Sequence, residues 1–185
     1  MKHTITLAKT AGFCFGVARA VDLVYQLVGA GEPVTTLGPI IHNPQLVQDL
    51  AQKGCQAVDD PLQAGDRTLI IRSHGVGRKV YELLERNHIR YRDATCPFVA
   101  KIHRIVSEHS AAGNPVIIIG DKSHPEVQGI IGHCTGPCFA AQNMNELIIL
   151  RKEFTNEEKN DIIVVAQTTF RQDLWNDCCE YLKKH

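Results

Sequence analysis

Cys14 and Cys96 each stand just ahead of a segment with helical apolar period, Val17, Ala20, Val21, Val24 and Leu27 after the first and Val99, Ile102, Ile105 and Val106 after the second. A thiol at a helix start faces unpaired N–H groups and the positive end of the helix dipole, and both favour the thiolate. Thiolates converging from separate segments suit an iron–sulfur cluster or another soft metal site. A catalytic thiol and simple packing are the other readings of the same two residues. His42, His74 and His124 each follow an apolar strand-like run and precede a helix start, where unpaired amides make a ready site for phosphate or diphosphate. Glu126, two residues after His124, is placed to be a proton donor if burial and neighbouring negative charge keep it protonated. A first-turn glutamate favoured by the helix dipole is the plainer reading.

The remaining candidates are weaker. Cys134 and Cys138 enclose Thr-Gly-Pro, a spacing loosely compatible with metal, and Cys178 and Cys179 are adjacent on a helical stretch. Both pairs read first as packing residues, because a free cysteine behaves as a small buried hydrophobe. Asp93, ahead of Ala94-Thr95-Cys96, reads as a turn or cap residue, and His3, His88, His103, His109, His133 and His185 read as structural. Seven cysteines without a secretion signal argue against a disulfide framework. Neither a P-loop nor a dinucleotide fingerprint is present.

An internal repeat must position these residues. An offset of 82 brings Cys14 onto Cys96 and His42 onto His124 without a gap, and aligns Val17 with Val99, Arg19 with Lys101, Gly31 with Gly113, Pro33-Val34 with Pro115-Val116 and Gly38 with Gly120. Each copy predicts a helix after its cysteine, a stop at the glycine, a buried strand (33–37 and 115–119), then Gly-x-x-x-His and a proline-bearing helix start. Further strands, Thr68 to Ile71 and Ile162 to Ala166, end in Ser73-His74-Gly75 and Gln167-Thr168-Thr169. Strands alternating with helices predict parallel sheets covered on both faces, so the expected fold is α/β, with one unit over residues 1–95 and a second over 96–185. Ligands bind beyond the carboxyl ends of such strands, where Cys14, His42, His74, Cys96, His124 and Thr168 all fall. The next cysteine follows His74 by 22 residues, and the same interval from Thr168 reaches position 190. A third cysteine, in a third unit, is therefore expected past the last residue, and its absence predicts exposed apolar surface that self-associates.

Composition narrows the classes. Twenty basic residues balance twenty acidic ones in 185, so no basic footprint points to nucleic acid. Apolar residues make up 44% and charged residues 22%, as in a folded globular chain. Pro115 to Ile119 and Ile162 to Ala166, the longest apolar runs, fall far short of the roughly 20 residues of a membrane span. A soluble cytoplasmic protein is expected.

Six ordered motifs carry a resemblance: Ala-Gly-Phe-Cys-Phe-Gly-Val-Ala-Arg-Ala-Val (11–21), Gly-Pro-Ile-Ile-His-Asn-Pro (38–44), Arg-Ser-His-Gly-Val (72–76), Asp-Ala-Thr-Cys-Pro-Phe-Val (93–99), His-Pro-Glu-Val-Gln-Gly (124–129) and Gln-Thr-Thr (167–169). Together they resemble the 4-hydroxy-3-methylbut-2-enyl diphosphate reductases, the LytB family. The resemblance implies a trefoil of three α/β units around a 4Fe-4S cluster, of which this chain holds two. It also implies a reductase that removes the allylic hydroxyl with two electrons and protons, giving isopentenyl and dimethylallyl diphosphate in the last step of the non-mevalonate pathway. Cys14 and Cys96 match two of three cluster ligands, His42, His74, His124 and Thr168 match positions holding the substrate, and Glu126 with Thr168 matches the proton-delivering pair. The third cysteine and part of the diphosphate pocket are expected beyond residue 185, and Cys178 and Cys179 follow Gln-Thr-Thr too closely to replace it. A ferredoxin or flavodoxin is the implied electron donor. Two other readings stay open: a non-catalytic module keeping a metal or diphosphate site, and a thiol redox protein using Cys178 and Cys179.

Overall fold

The computed structural model describes residues 4–153 and 161–184; His3 and His185 lie outside them. The first half runs α1 (Phe15–Gly29), β1 (Val34–Leu37), α2 (Pro44–Gln52), β2 (Gln56–Val58), a 3-10 turn (Pro61–Ala64), β3 (Thr68–Ile71), α3 (Arg78–Arg86) and β4 (Tyr91–Asp93). The second runs α4 (Pro97–Ala111), β5 (Val116–Ile119), α5 (Pro125–Ile131), β6 (Cys138–Ala141), α6 (Met144–Glu153), β7 (Ile163–Ala166) and α7 (Gln172–Lys184). Two parallel sheets result, one of four strands in the order β2-β1-β3-β4 and one of three in the order β6-β5-β7. The α/β reading with repeated parallel sheets holds.

Alternation along the short strands builds the layers. Side chains two apart share a face of a strand, so Val34 and Ile70 pack with Ala20 and Val24 of α1 and Leu50 of α2. Leu37, Leu69 and Ile71 face the other way, onto Leu84 of α3. The second sheet repeats the plan. Val116, Ile118 and Val165 meet Val106 of α4 and Ile130 of α5, while Ile117 and Ile119 meet Leu147 of α6 and Cys178 of α7. Burying each such aliphatic side chain stabilises the fold by about 1.5–3 kcal/mol.

The two cysteine helices also end alike. Gly31 and Gly113 adopt φ of 77° and 89°, a region open to glycine at little cost. The following residues then bond back to the helix, Glu32 N–H to Leu27 O and Asn114 N–H to His109 O, both at 3.0 Å. The edge strands β2, β4 and β6 have no counterpart in the sequence reading. β2 and β4 are three residues long and largely exposed, and such short segments carry too little apolar alternation to stand out.

Candidate functional site

Cys14 and Cys96 are the N-cap residues of α1 and α4, and neither thiol is spent on capping its helix. Arg19 of α1 donates through Nη1 to Thr95 O at 3.0 Å, and the Cys96 N–H donates to Ser73 O at 2.9 Å. These bonds draw the start of α1, the end of β3 and the start of α4 together. Gly16 completes the approach, because a Cβ there would lie 2.5 Å from Cys96 Sγ. Cys14 and Cys96 line one cleft of about 90 Å³ with Ser73, His74, Glu126 and Thr168.

Two thiols at helix N-termini, lining one cleft in which a Cβ at Gly16 would crowd Cys96 Sγ, fit two ligands of a sulfur-bound cluster. Among the described residues no group of three His, Cys, Asp or Glu is placed to hold a metal ion. The donor set present is two-thirds of the one the resemblance implies.

The histidines form a row. His74 lies between the other two, with ring centroids 5.8 Å from His42 and 5.2 Å from His124, the latter edge-on at 85°. Burial, then the charges of His124, Arg72 and His42, hold the His74 pKa down at about 4. Its Nδ1 is buried without a hydrogen-bond partner. An anion placed among these rings would supply the missing acceptor and draw a proton back onto His74.

Each of the three precedes a helix start as expected, α2, α3 and α5 in turn, but at a different distance from it. Only His124 is itself a cap, its Nδ1 accepting the Glu126 N–H at 3.1 Å. This bond leaves Nε2 as the proton-bearing nitrogen of the neutral ring. His42 yields the cap of α2 to Asn43, whose Oδ1 accepts from Leu46 N–H at 3.1 Å, because a short amide next to a proline-started helix caps better than a ring. His74 sits three residues before Gly77, the cap of α3, in a turn closed by Gly75 N–H to Arg72 O at 3.0 Å.

Glu126 is 1% exposed. Its Oε1 accepts the Thr168 N–H at 2.6 Å and its Oε2 accepts the Thr168 hydroxyl at 2.8 Å, tying α5 to the end of β7. Gln167 secures the same strand end, accepting from Asp121 N–H at 3.1 Å and donating to Thr169 Oγ at 2.8 Å. A carboxyl and a hydroxyl in contact at the wall of a cleft can pass a proton between them. Asp93 does what a turn residue does, its Oδ1 accepting Thr95 N–H at 2.8 Å.

Arg72 opens the Arg-Ser-His-Gly-Val motif, two residues before His74. It is half-buried beside His74, with Nε unpaired and its pKa lowered by burial. Ser73 and Thr169, both lining the cleft, also flank singled-out residues, and that adjacency was the available signal. Cys55 and Cys178 are buried packing residues away from the cleft, and burial pushes the Cys55 thiol up to about 11.

The LytB protein family model matches residues 5–185. The chain belongs to the LytB family. It is 42% identical over 185 residues to the 4-hydroxy-3-methylbut-2-enyl diphosphate reductase of Thermoanaerobacter sp. (strain X514), covering 97% of this chain and 62% of that protein. The enzyme of the same name from Geotalea daltonii is 43% identical over 165 residues, covering 89% of this chain and 56% of that protein. Among solved structures, the E-1-hydroxy-2-methyl-but-2-enyl-4-diphosphate reductase of Plasmodium falciparum superposes with a TM-score of 0.86 at 26% identity, over 95% of this chain and 55% of that one. An (E)-4-hydroxy-3-methyl-but-2-enyl diphosphate reductase described as the terminal enzyme of the non-mevalonate pathway superposes with a TM-score of 0.78 at 33% identity, over 97% and 63%. The LytB chain thus spans about three-fifths of the relatives it matches. Among its described residues no helix is long and apolar enough to cross a membrane.

Proposed function

We propose that the LytB chain carries two of the three units of a 4-hydroxy-3-methylbut-2-enyl diphosphate reductase, residues 1–95 and 96–185, and acts in the cytoplasm on that allylic diphosphate. The observation that carries the reading is the Glu126–Thr168 pair, with both carboxylate oxygens engaged at 2.6 and 2.8 Å, in the cleft shared by Cys14 and Cys96. Cys14 and Cys96 would hold two corners of a 4Fe-4S cluster, with a third thiolate from a further unit. When bound, such a cluster supplies two electrons, delivered by a ferredoxin or flavodoxin, and Lewis acidity toward the substrate hydroxyl.

The chain's own residues do the rest. His42, His74 and His124 take the diphosphate, and its negative charge lifts His74 from about 4 toward the protonated form that binds it. Glu126 passes a proton through the Thr168 hydroxyl to the leaving oxygen, which departs as water. Two electrons and two protons in all replace the hydroxyl by hydrogen.

The test is anaerobic reconstitution with iron and sulfide, followed by Mössbauer spectroscopy and turnover of the allylic diphosphate with a reduced viologen. Cys14→Ser and Cys96→Ser are expected to lose the iron. Glu126→Gln and Thr168→Ala are expected to keep it while turnover falls about 10²- to 10⁴-fold, the usual worth of a positioned proton donor. Iron held unchanged by both serine variants overturns the assignment. That two thiols rather than three line the cleft among the described residues favours a second reading, a binding half-site. Iron and diphosphate binding without turnover would establish that one.

A further inference from the structure

We propose that the contact between Gly77 and Gly132 is a spacer that sets the separation of His74 and His124, which makes the two glycines positioning residues for the diphosphate; this rests on the histidine row being the diphosphate grip. The two rings belong to different halves of the chain, yet they meet edge-on with centroids 5.2 Å apart. Such a separation holds only where the backbones beneath the rings are held. On one side is α5. Its hydrogen bonds run from His124 to Gly132 without a break, Gln128 N–H to His124 O and Gly132 N–H to Gln128 O, both at 3.0 Å. The helix is a short bar with His124 at one end and Gly132 at the other, about 12 Å away. On the other side is the loop from His74 to Gly77, which leads into α3. It lies along the bar: His133 Nε2 donates to Val76 O at 3.0 Å, and Arg78 N–H donates to Gly132 O at 3.1 Å. The second of these bonds pairs an unused amide at the start of α3 with an unused carbonyl at the end of α5.

The tightest approach is at the glycines. A Cβ at Gly132 would lie 2.6 Å from Gly77 Cα, and one at Gly77 would lie 3.0 Å from Gly132 Cα, against about 3.5–4.0 Å for carbons in ordinary contact. Neither position needs glycine for its backbone. Gly132 has φ −65° and ψ −9°, and Gly77 has φ −72° and ψ 160°, which any residue adopts. Space is therefore the reason for glycine at both. A methyl group at Gly132 meets backbone, which gives way only if the loop and the helix part by about 1 Å. His74 opens that loop and His124 opens that helix, so the rings part with them. An anion held between the two rings then loses its fit to one of them.

The experiment titrates inorganic pyrophosphate into the full chain by calorimetry and measures proton cross-relaxation between the His74 and His124 rings by NMR. Three alanine variants grade the contact. Gly129→Ala sets its Cβ at ordinary distances, 3.4 Å from His103 Nε2 and 3.6 Å from His74 O, and is expected to bind as the parent does with the ring contact kept. Gly132→Ala is expected to lose the ring contact and to weaken pyrophosphate about tenfold or more, within the roughly 10²-fold that a misplacement of about 1 Å can cost. Gly77→Ala, the milder intrusion on the same contact, should fall between the two. A merely structural role would lower the urea midpoint of Gly132→Ala but leave the affinity and the ring contact of the folded protein as they were, and that result overturns the proposal. Should Gly132→Ala fail to fold, parent-like affinity and ring contact in Gly77→Ala overturn it instead. A parent that binds no pyrophosphate overturns the diphosphate grip itself and the spacer with it, a failure seen before any variant is compared.

Discussion

Glu126 is held by one residue, Thr168, through both carboxylate oxygens, and lies almost wholly out of solvent. Structure and chemistry therefore separate cleanly at this residue. Glu126→Ala removes both acceptors from a part-buried contact with Thr168, a loss of about 1 kcal/mol per hydrogen bond, and is expected to lower the denaturation midpoint measurably. Glu126→Gln keeps an acceptor for that N–H and turns an amide N–H toward the Thr168 hydroxyl, so its midpoint should stay close to that of the parent. Urea unfolding of the three proteins checks this; equal midpoints for the parent and the alanine variant would mean the contact does not hold α5 to β7. A glutamine that folds as well as the parent yet carries no acid proton is the proper probe of proton delivery. The position of Glu126 beside His124 is legible in the local spacing, whereas its pairing with Thr168, 42 residues away, came from the family resemblance alone, because no local spacing connects the two.

At the scale of elements, α4 and the turn after α5 meet through two histidines read only as structural. The rings of His103 and His133 stack at 4.2 Å, His103 Nε2 is buried and unpaired, and a Cβ at Gly75 would lie 2.6 Å from the His103 ring. Burial, then the charge of His133, holds His103 down at about 4, with Asp93 opposing. Burial also lowers His133, opposed by the Val76 carbonyl it bonds at 3.0 Å. Both are lowered, so the unfolded chain, with imidazoles near 6.5, binds more protons than the folded one below that pH. Stability must then fall as pH drops from about 6.5 toward 4, by about 2–3 kcal/mol for His103 at about 1.4 kcal/mol per unit. His74, also held at about 4, adds a similar slope. Urea unfolding between pH 7 and 4.5 should show this loss, and His103→Gln should remove close to half of it. An unchanged slope in that variant would refute the role of the pair. The elements carrying the site were legible because cysteine, glycine, strand and histidine repeat at one offset. This packing was not, because it joins a helix face to a turn, and the second partner has no counterpart in the other copy.

Across the whole molecule the two sheets are alike except at one edge. β3 has β4 along its outer side and all four of its residues are buried, whereas β7 ends its sheet and three of its four residues are partly exposed. β4 is the strand that leads into Cys96. Its equivalent at β7 would lead into the next cysteine of the repeat, and among the described residues no strand fills that place. Ahead of Cys14, Ile5 and Leu7 are 95% and 81% exposed, and Phe13, Phe15 and Phe98 stand open around the two thiols. An open strand edge and a patch of exposed aromatics both favour association. The chain studied alone is therefore expected to self-associate as its concentration rises, and to bind an apolar dye at neutral pH. Phe15→Ser with Phe98→Ser should cut the dye signal severalfold while leaving the far-ultraviolet circular dichroism unchanged, because both side chains project from the first turns of their helices into solvent. Light scattering that reports a monomer at every concentration, with no dye bound, would show that this surface is closed without a third unit.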